Sequence, residues 1–351
     1  MKDNYKKIAL WQTAFLGDAV LTLPFIRALS LRFPDAEIHL FVRKGVEPLF
    51  ESQKELTAVH GFDKRGAQKG MKAAFAYGAD IGRQGFDLWI SAHTSMRSAV
   101  VAAATGIKDR IGYDAPWYNR LIYTDTVKRR FDELEEVERL MALGEPLGIP
   151  GIAPQTDLNL PASILAEAKD FFTQFDGNPV IGVHPGSTWE TKKWPELNFA
   201  ETICRCLDEG FRVILFGGPD EKDLCDTVLQ DCVRADEVVN LAGKLGLQQL
   251  AAYIRQLDIY LTNDSGPMHI AWIQSVPVLA MFGPTVRRFG FFPRGENSTV
   301  LESECDLKCR PCGLHGGKVC SEKHHKCMTD ITVQRVWSEI MKNVEKKRAV
   351  R

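Results

Sequence analysis

KKIALWQTAFLGDAVLTLPFIRALSLRF, residues 6–33, reads as strand, loop and helix in immediate succession. KKIALWQ is short and apolar, TAFLGDA carries a glycine, and VLTLPFIRALSLRF spaces its apolar residues as one helix face does. Pro24 falls early in the helical stretch, where a missing N–H does little harm. A second strand follows at AEIHLFVR, residues 36–43, and a third at FDLWISAH, residues 86–93, beyond a basic loop around Lys64 and Arg65. Strand alternating with helix implies a parallel sheet.

Residues 144–161, GEPLGIPGIAPQTDLNLP, interrupt this pattern with proline and glycine and mark a domain boundary. The alternation then restarts: PVIGVHPGS, FRVILFGGPD, VVNLAGK and LDIYLTNDSG each end an apolar run in a loop, and NFAETICRCLDEG reads as a helix. At 351 residues the chain exceeds the usual size of one core, so two domains are expected, with one large α/β domain as the alternative. In open α/β sheets ligands bind outside the carboxyl ends of the strands, so the informative residues belong in those loops.

Composition narrows the class. Hydrophobic residues make up 45% and charged residues 25%, which argues for a sizeable core and against disorder. Lys and Arg total 44 against 45 Asp and Glu, and a net charge of -1 speaks against broad nucleic-acid binding. Gln12, Thr13 and Asp18 break the first apolar run before a signal peptide forms, and no apolar stretch reaches the roughly 18 residues of a spanning helix. The expected location is therefore cytoplasmic. Nine cysteines, an odd count, fit that compartment as reduced or metal-bound thiols.

Four loops carry candidate chemistry. Asp18 follows Gly17 at a strand-to-helix junction and is a candidate general base; the alternative is a first-turn acid that helix starts favour. HPGSTWETKKWP, residues 184–195, combines Ser187, Thr188 and Thr191 with Lys192 and Lys193, a set suited to a diphosphate, or else a solvated polar loop. FGGPDEKD places Glu221 after two glycines, where an acid can accept from ribose hydroxyls, yet no GxGxxG precedes the helix. TNDSGPMHIA sets Asp264, Ser265 and Gly266 at a helix N-terminus, with His269 a turn inside; backbone amides there bind anions, although an ordinary N-cap and a semi-buried histidine read equally well.

Together and in this order, LGDAVLTLPFIRAL, GVHPGSTWETKKWPELNFA, FGGPDE, NLAGKLGLQQLAAYIRQLDIYLTNDSGPMHIA and VPVLAMFGPT resemble glycosyltransferase family 9, the ADP-heptose:lipopolysaccharide heptosyltransferases. The resemblance implies a GT-B fold of two Rossmann-like α/β domains facing a cleft, residues 1–160 for the acceptor and 161–351 for the nucleotide-sugar donor. It implies an inverting transfer from ADP-heptose to the lipid A-linked inner core of lipopolysaccharide. Asp18 falls at the family's base and Lys192 at its phosphate-binding lysine. Ser187, Thr188, Thr191, Glu221, Asp264, Ser265, Gly266 and His269 fall in the donor site. Lys64, Arg65 and Arg97, with Lys69 and Lys72, are candidate contacts to acceptor anions, or solvated surface charge. The transfer itself implies no cofactor.

CDLKCRPCGLHGGKVCSEKHHKC, residues 305–327, holds five cysteines and three histidines. Cys309 and Cys312 have the spacing of half a zinc site, and Cys320 with Cys327 or a histidine would complete it. Iron-binding segments among protein-modifying relatives keep iron open beside zinc, and reduced cysteines or local disulfides are the alternative. The final VWSEIMKNVEKKRAVR is amphipathic with a basic end; it suits packing back toward the N-terminal domain or peripheral contact with an anionic inner-membrane face. Competing functions are an NAD-dependent dehydrogenase, disfavoured by the missing GxGxxG, a protein O-heptosyltransferase, and a non-catalytic nucleotide-sugar sensor.

Overall fold

The computed structural model describes residues 4–350, with side chains described to residue 346. The basic end expected after residue 346 therefore lies outside the described residues. The chain divides into two compact units, Met1–Asn159 and Leu160–Arg351.

The first unit runs β1 (Lys7–Gln12), α1 (Leu16–Leu21), α2 (Leu23–Arg32), β2 (Glu37–Arg43), β3 (Ala58–Phe62), α3 (Met71–Gly82), β4 (Leu88–Ser91), α4 (Met96–Ala104), β5 (Asp109–Tyr113), α5 (Asn119–Ile122), β6 (Asp125–Val127) and α6 (Glu136–Ala142). All strand pairs are parallel, in the order β3-β2-β1-β4-β5-β6, with Ile8 opposite both Ile38 and Leu88. Trp11 and Trp89, both fully buried with rings 5.3 Å apart, anchor the core beneath α3 and α4. The single helix expected over residues 20–33 is two: Thr22 ends α1, and α2 restarts at Leu23 with Pro24 in its first turn, since proline has no N–H to offer a continuous helix.

The second unit runs α7 (Ala162–Phe172), β7 (Val180–His184), α8 (Glu196–Asp208), β8 (Arg212–Leu215), α9 (Lys222–Gln230), β9 (Val239–Asn240), α10 (Leu247–Arg255), β10 (Ile259–Asn263), α11 (Gly266–Ile273), β11 (Val278–Phe282), β12 (Ser298–Glu302), α12 (Lys326–Thr329) and α13 (Val333–Val350). Its sheet, β12-β11-β10-β7-β8-β9, is again wholly parallel and repeats the order of the first, counted within the unit. Both faces are covered, so the strands are continuous apolar runs; β7, β10 and β11 are buried at every position. Val336, Ile340 and Val344 carry the apolar stripe of α13 into this unit's core beside Ile203, Val228 and Ile331. Among the described residues no helix is long and apolar enough to cross a membrane.

Strand order reverses between β1 and β4 in one unit and between β7 and β10 in the other. Crossovers leave these neighbours in opposite directions and open a crevice at the strands' carboxyl ends. The loops after β1, β4, β7 and β10 are thereby placed as sites.

Candidate functional site

In the first unit, Phe15 caps α1 in extended conformation and Asp18 stands at the third helical position. The Asp18 carboxylate accepts from the Phe15 N–H at 3.2 Å, the local role open to a first-turn acid. Lys64, half-buried, donates from Nζ to the Thr13 carbonyl at 3.0 Å, and Arg97 Nη1 donates to the Lys64 carbonyl at 3.1 Å. Burial, then the guanidiniums of Arg43, Arg97 and Arg65, pull the Lys64 ammonium down, with Asp18 acting in the opposite sense. The structure thus gathers Arg65 and Arg97 around Lys64, which is itself within electrostatic range of Asp18, whereas the sequence only places them on loops.

His93, after β4, carries no motif that would single it out in the sequence. Its Nδ1 lies 3.2 Å from Thr13 Oγ1 and 3.0 Å from Ser98 Oγ, which itself accepts from Trp11 Nε1 at 2.9 Å. Burial, then the Lys64 and Arg129 charges, brings His93 down to about 4, so it is neutral near pH 7.

In the second unit the loops after β7 and β10 meet. Lys192 Nζ donates to Asp264 Oδ2 at 2.6 Å, with the two side chains only 11% and 10% exposed, and Thr285 Oγ1 donates to the same oxygen at 2.7 Å. Ser187 Oγ donates to the Asp264 carbonyl at 3.3 Å. Buried Asn263 ties the loops together, accepting from Trp194 N–H at 3.0 Å and donating to the Pro185 carbonyl at 2.7 Å. Trp194 pins the loop's far end through Nε1 to the Ile331 carbonyl at 2.7 Å. The ammonium therefore stands at a switch point beside the start of α11, whose cap is Ser265 and whose first residue is Gly266. A cation and a helix N-terminus converging there suit a diphosphate.

Ser265 Oγ lies 3.1 Å from Thr262 Oγ1 and 3.4 Å from His184 Nδ1, while His184 Nε2 lies 3.0 Å from Glu221 Oε2. Glu221 also accepts from the Gly218 N–H at 2.7 Å, so its carboxylate is turned toward its own loop and His184; the ribose contact expected of it competes with these bonds. Only glycine at 186 lets it in, because a Cβ there would stand 2.0 Å from Glu221 Oε1. Burial pushes the Glu221 carboxyl up, but the hydrogen bond and charge of His184, with the Gly218 N–H and Lys193, outweigh it and bring it from 4.5 down to about 2. A depressed carboxylate stabilises the fold above its unfolded value, and that contribution is lost as pH falls from 4.5 to about 2. Glu221→Gln is therefore expected to cost on the order of 2 kcal/mol at neutral pH and to flatten the urea-denaturation midpoint across that acid window. A variant with the wild-type pH dependence would refute this.

His269 is buried in α11, and its Nδ1 finds no hydrogen-bond partner among the described residues. Burial brings it down to about 4 against the opposing pull of Asp264. Thr188 is exposed. The Thr191 hydroxyl is committed to the cysteine-rich segment: it donates to the Gly317 carbonyl at 3.0 Å and accepts from the Gly317 N–H at 2.8 Å, and His325 Nε2 lies 2.8 Å from the Thr191 carbonyl.

That segment carries the cysteines of the expected metal centre. All nine cysteines are free, and among the described residues no group of three or more His, Cys, Asp or Glu side chains is arranged to hold a metal ion. Cys309, Cys312, Cys320 and Cys327 come within electrostatic range of one another. Cys312 Sγ donates to the Cys309 carbonyl at 3.0 Å, Cys309 Sγ lies 3.8 Å from His324 Nε2, and burial pushes the Cys327 thiol up to about 11.

The chain matches the model of glycosyltransferase family 9 (heptosyltransferase) over residues 74–324. It is 26% identical over 339 residues to lipooligosaccharide heptosyltransferase 2 of Campylobacter jejuni subsp. jejuni, covering 96% of this chain and 98% of that protein. It is also 26% identical over 352 residues to lipopolysaccharide heptosyltransferase 2 of Escherichia coli K12, covering 95% and 97%. Among solved structures, the family 9 glycosyl transferase of Veillonella parvula superposes with a TM-score of 0.87 at 22% identity, covering 99% of both chains. The E. coli ADP-heptose lps heptosyltransferase II does so at 0.78 and 24%, covering 98% of this chain and 99% of that one, so the two parallel six-stranded sheets are the GT-B arrangement. A family model spanning this much of the sequence, over sheets of this order, makes the chain a member of glycosyltransferase family 9, the heptosyltransferases.

Proposed function

We propose that the chain transfers heptose from ADP-heptose to the inner core of lipopolysaccharide by a single inverting displacement. The observation that carries this reading is the Lys192–Asp264 pair at the switch point of the second unit, where an ammonium and the α11 N-terminus converge on one place. Lys192 leaves Asp264 for the donor diphosphate and stabilises the charge that builds on departing ADP. Ser187, Ser265 and the start of α11 at Gly266 stand at the same place, and buried His269 is within electrostatic range of Asp264 and Lys192. In the first unit, Asp18 takes the proton of the acceptor hydroxyl as that oxygen attacks the anomeric carbon and the bond to ADP breaks. Lys64, Arg65 and Arg97 supply positive charge for an acidic acceptor. The names of the C. jejuni and E. coli relatives support both the sugar and the pathway. A cytoplasmic enzyme meeting its lipid-linked acceptor at the membrane face fits this chemistry.

The deciding assay is ADP release from ADP-heptose by purified protein, with and without heptose-deficient lipopolysaccharide, beside UDP-sugar donors. Release that requires both ADP-heptose and the acceptor is the expected result. Turnover with UDP-sugars alone would overturn the donor, and tight ADP binding without turnover would overturn the acceptor.

A further inference from the structure

Glu136, in the first turn of α6, is 1% exposed and carries two guanidiniums. Arg129 Nη2 lies 3.2 and 3.1 Å from its two oxygens, and Arg139 Nε lies 2.9 Å from Oε2. Arg139 is wholly buried, donates from Nη1 to the Phe131 carbonyl at 3.2 Å and stacks over the Phe131 ring at 4.5 Å. Two positive charges against one negative leave one net positive charge in the triad. The geometry decides where it appears, because Arg129, 30% exposed, is the member with access to solvent. Its guanidinium is held between the rings of Tyr113 and Phe131, at 5.5 and 5.6 Å. Tyr113 is fixed in turn by its hydroxyl, which donates to the Arg139 carbonyl at 3.0 Å. Asp18 acts electrostatically on both Arg129 and Glu136, and Arg129 acts with Lys64 on His93. Arg129 follows β6 as Asp18 follows β1 and His93 follows β4, so all three stand at the carboxyl edge of the same parallel sheet.

We propose that Glu136 is a positioning residue for transfer: its buried carboxylate holds the Arg129 guanidinium beside Asp18, where that charge offsets the base and receives an anionic group of the acceptor. An ionised base repels an acidic acceptor in a site of low dielectric, and a fixed guanidinium cancels that repulsion without neutralising the base. A fork locked by a carboxylate and two aromatic faces loses little freedom on binding, which a lysine at this position would not match. The inference rests on Asp18 being the base.

The test uses the full chain with ADP-heptose and heptose-deficient lipopolysaccharide. Arg129→Ala leaves the Glu136–Arg139 pair and so keeps the buried charge balanced. It is expected to raise the acceptor KM by about tenfold or more, to leave the ADP-heptose KM unchanged, and to be restored by added guanidinium ion. Arg129→Lys should restore only part of the loss. Glu136→Gln should raise the acceptor KM in the same way, provided its circular dichroism remains native. An acceptor KM unchanged by Arg129→Ala, or a loss that guanidinium does not restore, would overturn the positioning role. Asp18→Asn, assayed alongside, separates the two readings: an active Asp18→Asn enzyme overturns the base assignment whatever Arg129→Ala does, and an inactive one leaves the acceptor KM to decide the role of Glu136.

Discussion

Asp18→Asn is expected to lower turnover at saturating substrates by about 10²–10⁴-fold while leaving ADP affinity nearly intact. Asparagine is the informative replacement, because the carboxylate has a second role. It accepts from the Phe15 N–H and caps α1, and the Asn carbonyl oxygen can keep that bond. Alanine removes base and cap together, so about 0.5–2 kcal/mol of local stability goes with the activity. If both variants lose transfer and only Asp18→Ala melts earlier, the two roles are separated. Near-full turnover of Asp18→Asn would end the base assignment.

Lys192→Ala should weaken ADP binding and transfer together, with turnover falling by about 10²–10³-fold. Fold and function are entangled here as well. The pair is almost dry, and removing the ammonium leaves the Asp264 carboxylate with the Thr285 hydroxyl on the same oxygen. Breaking a buried pair by deleting one partner costs about 3–5 kcal/mol, so an inactive variant could simply be an unfolded one. The double substitution Lys192→Met with Asp264→Asn removes both charges and should recover the melting temperature without recovering turnover. Isothermal titration with ADP and a thermal melt on the same preparations distinguish the outcomes. Wild-type ADP affinity in Lys192→Ala would remove the lysine from the donor site.

Some strands and loops are far more legible in the sequence than others. β1, β2 and β4, and β7, β8 and β10, are continuous apolar runs because both faces are covered, and each is readable as a strand. β3, β5, β6 and β12 are not, since toward the sheet edges they are short or only half-buried and mix polar with apolar residues. Lys192 and Asp264 both stand out in their loops, yet nothing local says that they touch, being 72 positions apart. The same holds for His93 and Ser98 against Thr13 and Trp11, and for Asn263 against Pro185 and Trp194. Glu221 shows a different gap. Its position after two glycines suggests a ligand contact, while the local geometry turns it back onto Gly218 and His184. Cys309-x-x-Cys312 has a metal-like spacing, and the spacing does not show that the Cys312 thiol reaches the Cys309 carbonyl. Spacing along a chain fixes reach, and the direction of a side chain is settled only by what surrounds it.

The repeated strand order also bears on how the protein is made. No strand of either sheet is contributed by the other unit, and β6 ends at Val127, more than fifty residues before β7 begins at Val180. At about 5–20 residues per second on the ribosome, the second unit takes roughly 10–40 s to synthesise. A nascent first unit can therefore close its parallel sheet, whose slow non-local pairings span only its own length, before a second set of similar apolar strands emerges to compete with it.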